Sequence, residues 1–158
     1  MIEVGQFVIC GDWDSTPTPA GKLRIVMPPL GHLEGGGWSA FTQAGLNALP
    51  QEVKRGKSFA EIGAGSGILC VAARLLGAGH IVATELDKEA LAYLPTIFAA
   101  NAMSNYEIID GTFPPSRVDL AICAISTEFG QVHAHNVNAN RVLNINDVRH
   151  GAEVIVIK

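Results

Sequence analysis

Phe59-Ala60-Glu61-Ile62-Gly63-Ala64-Gly65-Ser66-Gly67-Ile68-Leu69, followed by Ile81-Val82-Ala83-Thr84-Glu85-Leu86-Asp87, decides the fold of this chain. The apolar run from Phe59 to Ile62 is short and glycines stop it, as expected of a buried strand. Past the glycines, Leu69, Ala72, Ala73 and Leu76 recur at helical spacing until Gly77 and Gly79 end the helix. Ile81 to Thr84 reads as a second buried strand, and it runs out on an acid, Glu85. Strand, glycine turn, helix and a second strand tipped by a carboxylate make a nucleotide-shaped crevice. Backbone lies close to a ligand where there is no Cβ, and a carboxylate takes two hydroxyl donors side by side.

Working outward, Asp87 can cap a helix from Lys88 towards Asn101, with Leu91, Leu94, Ile97 and Phe98 on one stripe. Pro95 inside it predicts a kink or an early break. Tyr106 to Ile109 and Val118 to Cys123 read as third and fourth strands, and buried strands separated by helices predict a parallel sheet. Upstream, Ser39 to Val53 reads as a helix using Phe41, Leu46 and Leu49, with Gly45 counting against it. Val4 to Cys10 and Lys22 to Met27 flank a Pro- and Asp-bearing segment and read as an N-terminal hairpin with a long loop. Arg141 to Ile145 and Glu153 to Ile157 are strand-like around a turn at Asp147 to Gly151. The expected fold is α/β: a compact or truncated Rossmann-like three-layer sandwich with an N-terminal β-hairpin. One domain is expected over residues 1–158, with the hairpin region at 1–30 and a cofactor-binding core at 39–158.

The glycine spacing narrows the chemistry. A dinucleotide site uses GxGxxG, but Ile68 stands where its third glycine belongs, and no GK[ST] follows to make a P-loop. GxGxG preceded by Glu61 resembles motif I of the class I S-adenosylmethionine-dependent methyltransferases. Within that superfamily, Glu61 to Asn101 is most similar to the ribosomal protein L11 methyltransferase group, and the likeness extends over Phe59 to Cys123. The segment Gly35 to Thr42 takes the place of that group's glycine- and threonine-rich stretch near the active site. The resemblance implies S-adenosylmethionine as cofactor. Gly63, Gly65 and Gly67 would pass under its methionine portion, Glu61 would lie near its amino group and Glu85 would take both ribose hydroxyls. Leu86 would lie against the adenine, with Asp110 or Thr112 at the adenine amino group.

Departures from the pattern bear on substrate. Amino-methylating relatives place Asn or Asp where this chain has Ala124, and alanine has no acceptor for a substrate amine. Ser126 and Glu128 are the nearest polar residues beyond that strand tip, where a second substrate arrives in an open α/β sheet. They are the candidate catalytic residues, Glu128 as proton acceptor; complementing a helix N-terminus is the alternative use of Glu128. The implied function is methyl transfer to a small-molecule or protein acceptor. The alternative is a non-catalytic S-adenosylmethionine-binding or interaction protein that retains the methyltransferase core. Residues 125–158 are too few for the usual seven-stranded order, so a sheet edge is expected that either the N-terminal hairpin or a second copy covers.

Composition sets the remaining bounds. Only 16% of residues are charged against 48% apolar, so part of the surface is expected to be covered by self-association into a homodimer or higher oligomer. Net charge is −4 and the one basic cluster is Lys54, Arg55 and Lys57, which disfavours nucleic acid as a partner. Cys10, Cys70 and Cys123 each sit in an apolar run and form no CxxC, as expected of buried free thiols in the cytoplasm. No stretch has the length of a membrane span or the layout of a signal peptide, so no membrane partner is expected. His32, His80, His133, His135 and His150 lack metal-ligand spacing, and no metal site is expected.

Overall fold

The structure, a computed structural model, describes residues 1–29, 39–124, 136–148 and 151–157. Five strands run parallel: β4 (Ser58–Ile62), β5 (His80–Glu85), β6 (Tyr106–Asp110), β7 (Val118–Cys123) and β8 (Ala139–Val148). A final strand, β9 (Gly151–Val156), turns back antiparallel on β8, giving the order β6-β5-β4-β7-β8-β9. The strand that begins the glycine turn is therefore flanked on both sides, so the turn leaves from inside the sheet.

Alternation along the strands divides the apolar residues between two faces. Phe59, Ile81, Leu120, Ile122, Leu143 and Ile145 meet α1 (Ala40–Glu52), α2 (Ile68–Leu75) and α3 (Lys88–Ala100) on one side. Ala60, Ile62, Val82, Ala121, Cys123 and Val142 pack with Val137 on the other. Gly45, which counts against a helix by propensity, sits where α1 crosses α2. A Cβ there would lie 2.8 Å from Leu69 Cδ1, so close packing explains the residue. Of the kink or early break that Pro95 predicts, the break does not occur; the helix continues to Ala100. Leu94, Ile97 and Phe98 are fully buried while Pro95 lies on the exposed side. Water can take the carbonyl it frees, and the packed stripe offsets the roughly 3 kcal/mol proline penalty.

The N-terminal hairpin is present but is made by different partners from those expected. β1 (Ile2–Val4) and β2 (Phe7–Gly11) pair antiparallel, whereas β2 and β3 (Leu23–Met27) pair parallel, from Phe7↔Leu23 to Gly11↔Met27. The tight turn is at Gly5, with φ +54, and the Asp- and Pro-bearing segment is a crossover, as parallel strands require. This small sheet does not pair with the larger one, so it does not cover its edge. It packs instead on α2 and α3, with Phe7, Ile9 and Ile25 in the same core as the helices. Asn101 fastens it: Oδ1 accepts from the Val26 amide at 2.8 Å and Nδ2 donates to the Val26 carbonyl at 2.7 Å. Tyr93 adds a bond from its hydroxyl to the Pro28 carbonyl at 2.8 Å. The layers run small sheet, helices, large sheet.

Candidate functional site

The glycine turn leaves the carboxyl end of β4 with Gly63, Gly65 and Gly67 all at positive φ (69°, 50° and 74°), a run only glycine makes without strain. Two backbone bonds hold it, from the Ala64 amide to the Thr84 carbonyl at 2.9 Å and from the Gly67 amide to the Ala64 carbonyl at 2.7 Å. Gly67 and Gly65 differ in what fixes them. A Cβ on Gly67 would lie 2.6 Å from Leu94 Cδ2, so that position is dictated by α3. A Cβ on Gly65 would meet no protein atom within 4 Å, and it borders a crevice of about 260 Å³. Glu61 and Ser66 also line this crevice, Ala124 closes it at the tip of β7, and Ser39, Phe41 and Thr42 bring the start of α1 to it.

Glu61 is only 3% exposed. Gly67, the N-cap of α2, has no side chain to cap with, and Glu61 supplies the missing acceptor: Oε2 takes the Cys70 amide at 3.0 Å. That single amide does not compensate for lost water. Burial pushes the Glu61 carboxyl up to about 8, opposed by the Cys70 hydrogen bonds and assisted by the charge of Glu85. Burial also raises the Cys70 thiol well above its ordinary value, with the Glu61 charge adding to it, and raises Cys123 to about 12. Neither thiol is poised as a nucleophile.

Glu85 does stand at the tip of β5, beside the turn. Its Oε2 accepts the Gly65 amide at 2.7 Å, and its Oε1 accepts the Leu86 and Asp87 amides at 2.7 and 2.9 Å. Three backbone donors thus fix the carboxylate against the Gly65 amide at the tip of β5. Leu86 follows with 53% of its surface exposed, an apolar side chain only half covered by protein. Asp110 is Glu85's register partner across the β5–β6 ladder, but its carboxylate pairs with Lys88 at the surface. Thr112 contributes its carbonyl, which takes the Thr84 hydroxyl at 3.0 Å and ties the loop after β6 to β5. None of Glu85, Leu86, Asp110 and Thr112 lines the crevice beside the turn, which Glu85 reaches only through its bond to the Gly65 amide.

Ser126 and Glu128 lie outside the described residues, as do Gly35 to Trp38 and His32, His133, His135 and His150. Sequence reasoning underused Ser39 and Thr42. Ser39 Oγ caps α1 by accepting the Thr42 amide at 3.1 Å and donates to Thr42 Oγ1 at 2.9 Å, a paired hydroxyl motif on the crevice wall. Its signal was a serine just before the apolar helix stripe, preceded by glycines.

The geometry has a family counterpart. The family described as ribosomal protein L11 methyltransferase (PrmA) matches residues 2–129 of this chain. The chain belongs to the PrmA family. Ribosomal protein L11 methyltransferase of Carboxydothermus hydrogenoformans is 38% identical over 90 residues, which is 57% of this chain and 30% of that protein. The enzyme of Limosilactobacillus fermentum is 31% identical over 130 residues, covering 78% of this chain and 40% of its own length. A solved ribosomal protein L11 methylase from Lactobacillus delbrueckii subsp. bulgaricus superposes with a TM-score of 0.80. It is 20% identical, and the match covers 92% of this chain and 80% of that one. The chain spans well under half the length of these curated PrmA relatives. The match includes the N-terminal sheet as well as the glycine turn, so the two layers packed through Asn101 belong to one family unit.

Proposed function

We propose that this PrmA-family chain binds S-adenosylmethionine in the crevice beside the glycine turn and transfers its methyl group to a small-molecule or protein acceptor. The observation that carries the reading is the pairing of an open Gly65 with two acids of different character. Glu61 lies buried at the floor, and Glu85 is held against the Gly65 amide at 2.7 Å. The residues fit the cofactor's chemistry. Gly65 leaves room for close approach, Glu61 has acceptor capacity for an ammonium group and Glu85 for ribose hydroxyls. Three of the Glu85 carboxylate's roughly four acceptor sites are engaged by backbone amides. Taking two hydroxyls therefore requires it to release one of these amides, which then becomes a donor for the ligand. Leu86 would cover the adenine, and Asp110 or Thr112 would reach its amino group only by moving from their present partners.

Bound there, the cofactor supplies an electrophilic methyl. The chain's own part is to orient it, to exclude water from the crevice and to accept the acceptor's proton, a role we assign to Glu128 with Ser126 beside it in sequence. Self-association into a homodimer or higher oligomer in the cytoplasm completes the reading, supported by the low charged fraction and three free buried thiols. Among the described residues, no helix is long and apolar enough to cross a membrane.

Ala124 favours a second reading, a binding protein without transfer. It lines the crevice with a methyl group at the position where, on the resemblance, many amino-methylating relatives place Asn or Asp. Calorimetric titration with S-adenosylmethionine, S-adenosylhomocysteine and NAD tests the cofactor. Binding of the first two alone is expected, and a folded sample that binds neither at millimolar ligand ends the proposal. Following S-adenosylhomocysteine release over protein, nucleic-acid and metabolite pools separates the readings. Binding with no release in any pool leaves the binding protein, whereas release on DNA adenine removes the proposed acceptor class.

A further inference from the structure

The two edges of the large sheet are built differently. Edge strand β6 carries Glu107 and Asp110, both exposed, with His80 bonded to Glu107 at 3.0 Å and Lys88 paired with Asp110. Charges of this kind keep a sheet edge from pairing with another chain. Edge strand β9, Gly-Ala-Glu-Val-Ile-Val, holds one charge, Glu153, and neither proline nor lysine within the strand. No other strand pairs with it among the described residues. The Ile157 amide bonds the Val142 carbonyl at 2.9 Å, which fixes the phase of the ladder. Residues 153 and 155 turn their backbone groups inward to β8, and Ala152, Val154 and Val156 turn theirs outward.

We propose that β9 is the docking edge for a second copy of this chain, the two large sheets joining antiparallel about a two-fold axis at Val154. The sequence is self-complementary in that register. Val154 meets its own symmetry mate and Ala152 meets Val156, so every outward amide and carbonyl finds a partner. Glu153 falls opposite Ile155, and no like charges face each other. Val156, 48% exposed in one copy, gains an apolar neighbour. The 16% charged composition is consistent with a chain whose open edge is covered in solution.

Sedimentation of the full chain at tens of micromolar tests the proposal. The expected mass is twice 16.7 kDa. Val154→Pro removes an outward amide that the single copy does not use, and Val156→Lys places a charge on the edge; both are expected to sediment as monomers with unchanged circular dichroism. If Val154→Pro fails to fold, Val156→Lys decides. Val154→Cys is expected to give a covalent dimer on oxidation, since residues facing across such a pair lie about 5.5 Å apart at Cα. A wild-type chain that is monomeric at this concentration overturns the proposal. So does a dimer that survives both edge variants, or one that Val154→Cys cannot cross-link.

Discussion

The carboxyl and amino ends of the parallel strands each carry a concavity, and the larger one is the less reactive. At the amino ends a cleft of about 440 Å³ is lined by Glu52, Lys54, Lys57, Ser58, Asp119 and Arg141 among others. Its charged groups already serve one another. Arg141 grips Glu52 through two nitrogens, and Asp119 accepts the Ser58 amide and hydroxyl, both at 2.9 Å, with Lys57 nearby. Accordingly Arg141 holds the Glu52 carboxyl below its ordinary range, and the Ser58 bonds do the same for Asp119. At the carboxyl ends the crevice is about 260 Å³, yet it borders a buried acid bonded only by the amide and thiol of Cys70. Unspent hydrogen-bonding capacity, not volume, separates a ligand site from a surface fold.

Substitutions at the two ends can break this contrast. At neutral pH Gly67→Val should have the largest effect, about 4 kcal/mol of stability, because strain at φ +74 adds to collision with Leu94 and Phe98. Urea unfolding measures it, and a near-neutral result would mean that α3 does not pin the turn. Glu61→Gln comes next, with a sign that depends on pH. The folded carboxyl is raised from 4.5 to about 8, so its burial costs nothing below pH 4.5, and the penalty grows as pH rises to about 8. Glutamine keeps an acceptor for the Cys70 amide without the charge. The variant should match wild type in acid and exceed it by on the order of 5 kcal/mol above pH 8. Parallel stability curves would show that Glu61 is not the buried acid described.

Glu85→Ala should weaken S-adenosylhomocysteine binding by about 1.5–3 kcal/mol, measured by calorimetry, through loss of charge-assisted bonds. An unchanged affinity removes Glu85 from the ligand. The smallest effect belongs to the amino end. Arg141→Ala should cost no more than about 1 kcal/mol in urea unfolding, since both partners of the pair are partly exposed, and should leave cofactor affinity unchanged. A larger loss of affinity there would erase the distinction between the two ends.

Much of this architecture was legible because its signals are local. Glycine spacing reads directly as backbone geometry, and Glu85 follows from where a strand runs out. The strands around the turn could be read from apolar runs because each is buried on both faces. Asp110 and Thr112 were harder. Register alone places Asp110 beside Glu85, but Lys88, at the start of the next helix, draws its carboxylate away. The N-terminal hairpin shows the same limit from another side. Propensity marks residues as strand, yet the parallel partner of β2 is chosen by how β3 docks on α2 and α3, through Asn101.

The sequence by itself determined the glycine turn, the acid at the next strand tip, the parallel sheet and the family to which they point. These depend on φ preference, burial periodicity and residue chemistry over short spans, where the chain has few alternatives. Tertiary structure alone decided that Glu61 caps α2, that Gly45 is a packing residue and that Pro95 sits harmlessly on an exposed face. It also decided that Ser39 and Thr42 reach the crevice and that, among the described residues, β8 is the one strand paired with β9. Gly45 and the reach of Ser39 and Thr42 depend on contacts between segments far apart in the chain, and the Glu61 cap on burial, so their energies belong to the packed arrangement and to no single stretch of sequence.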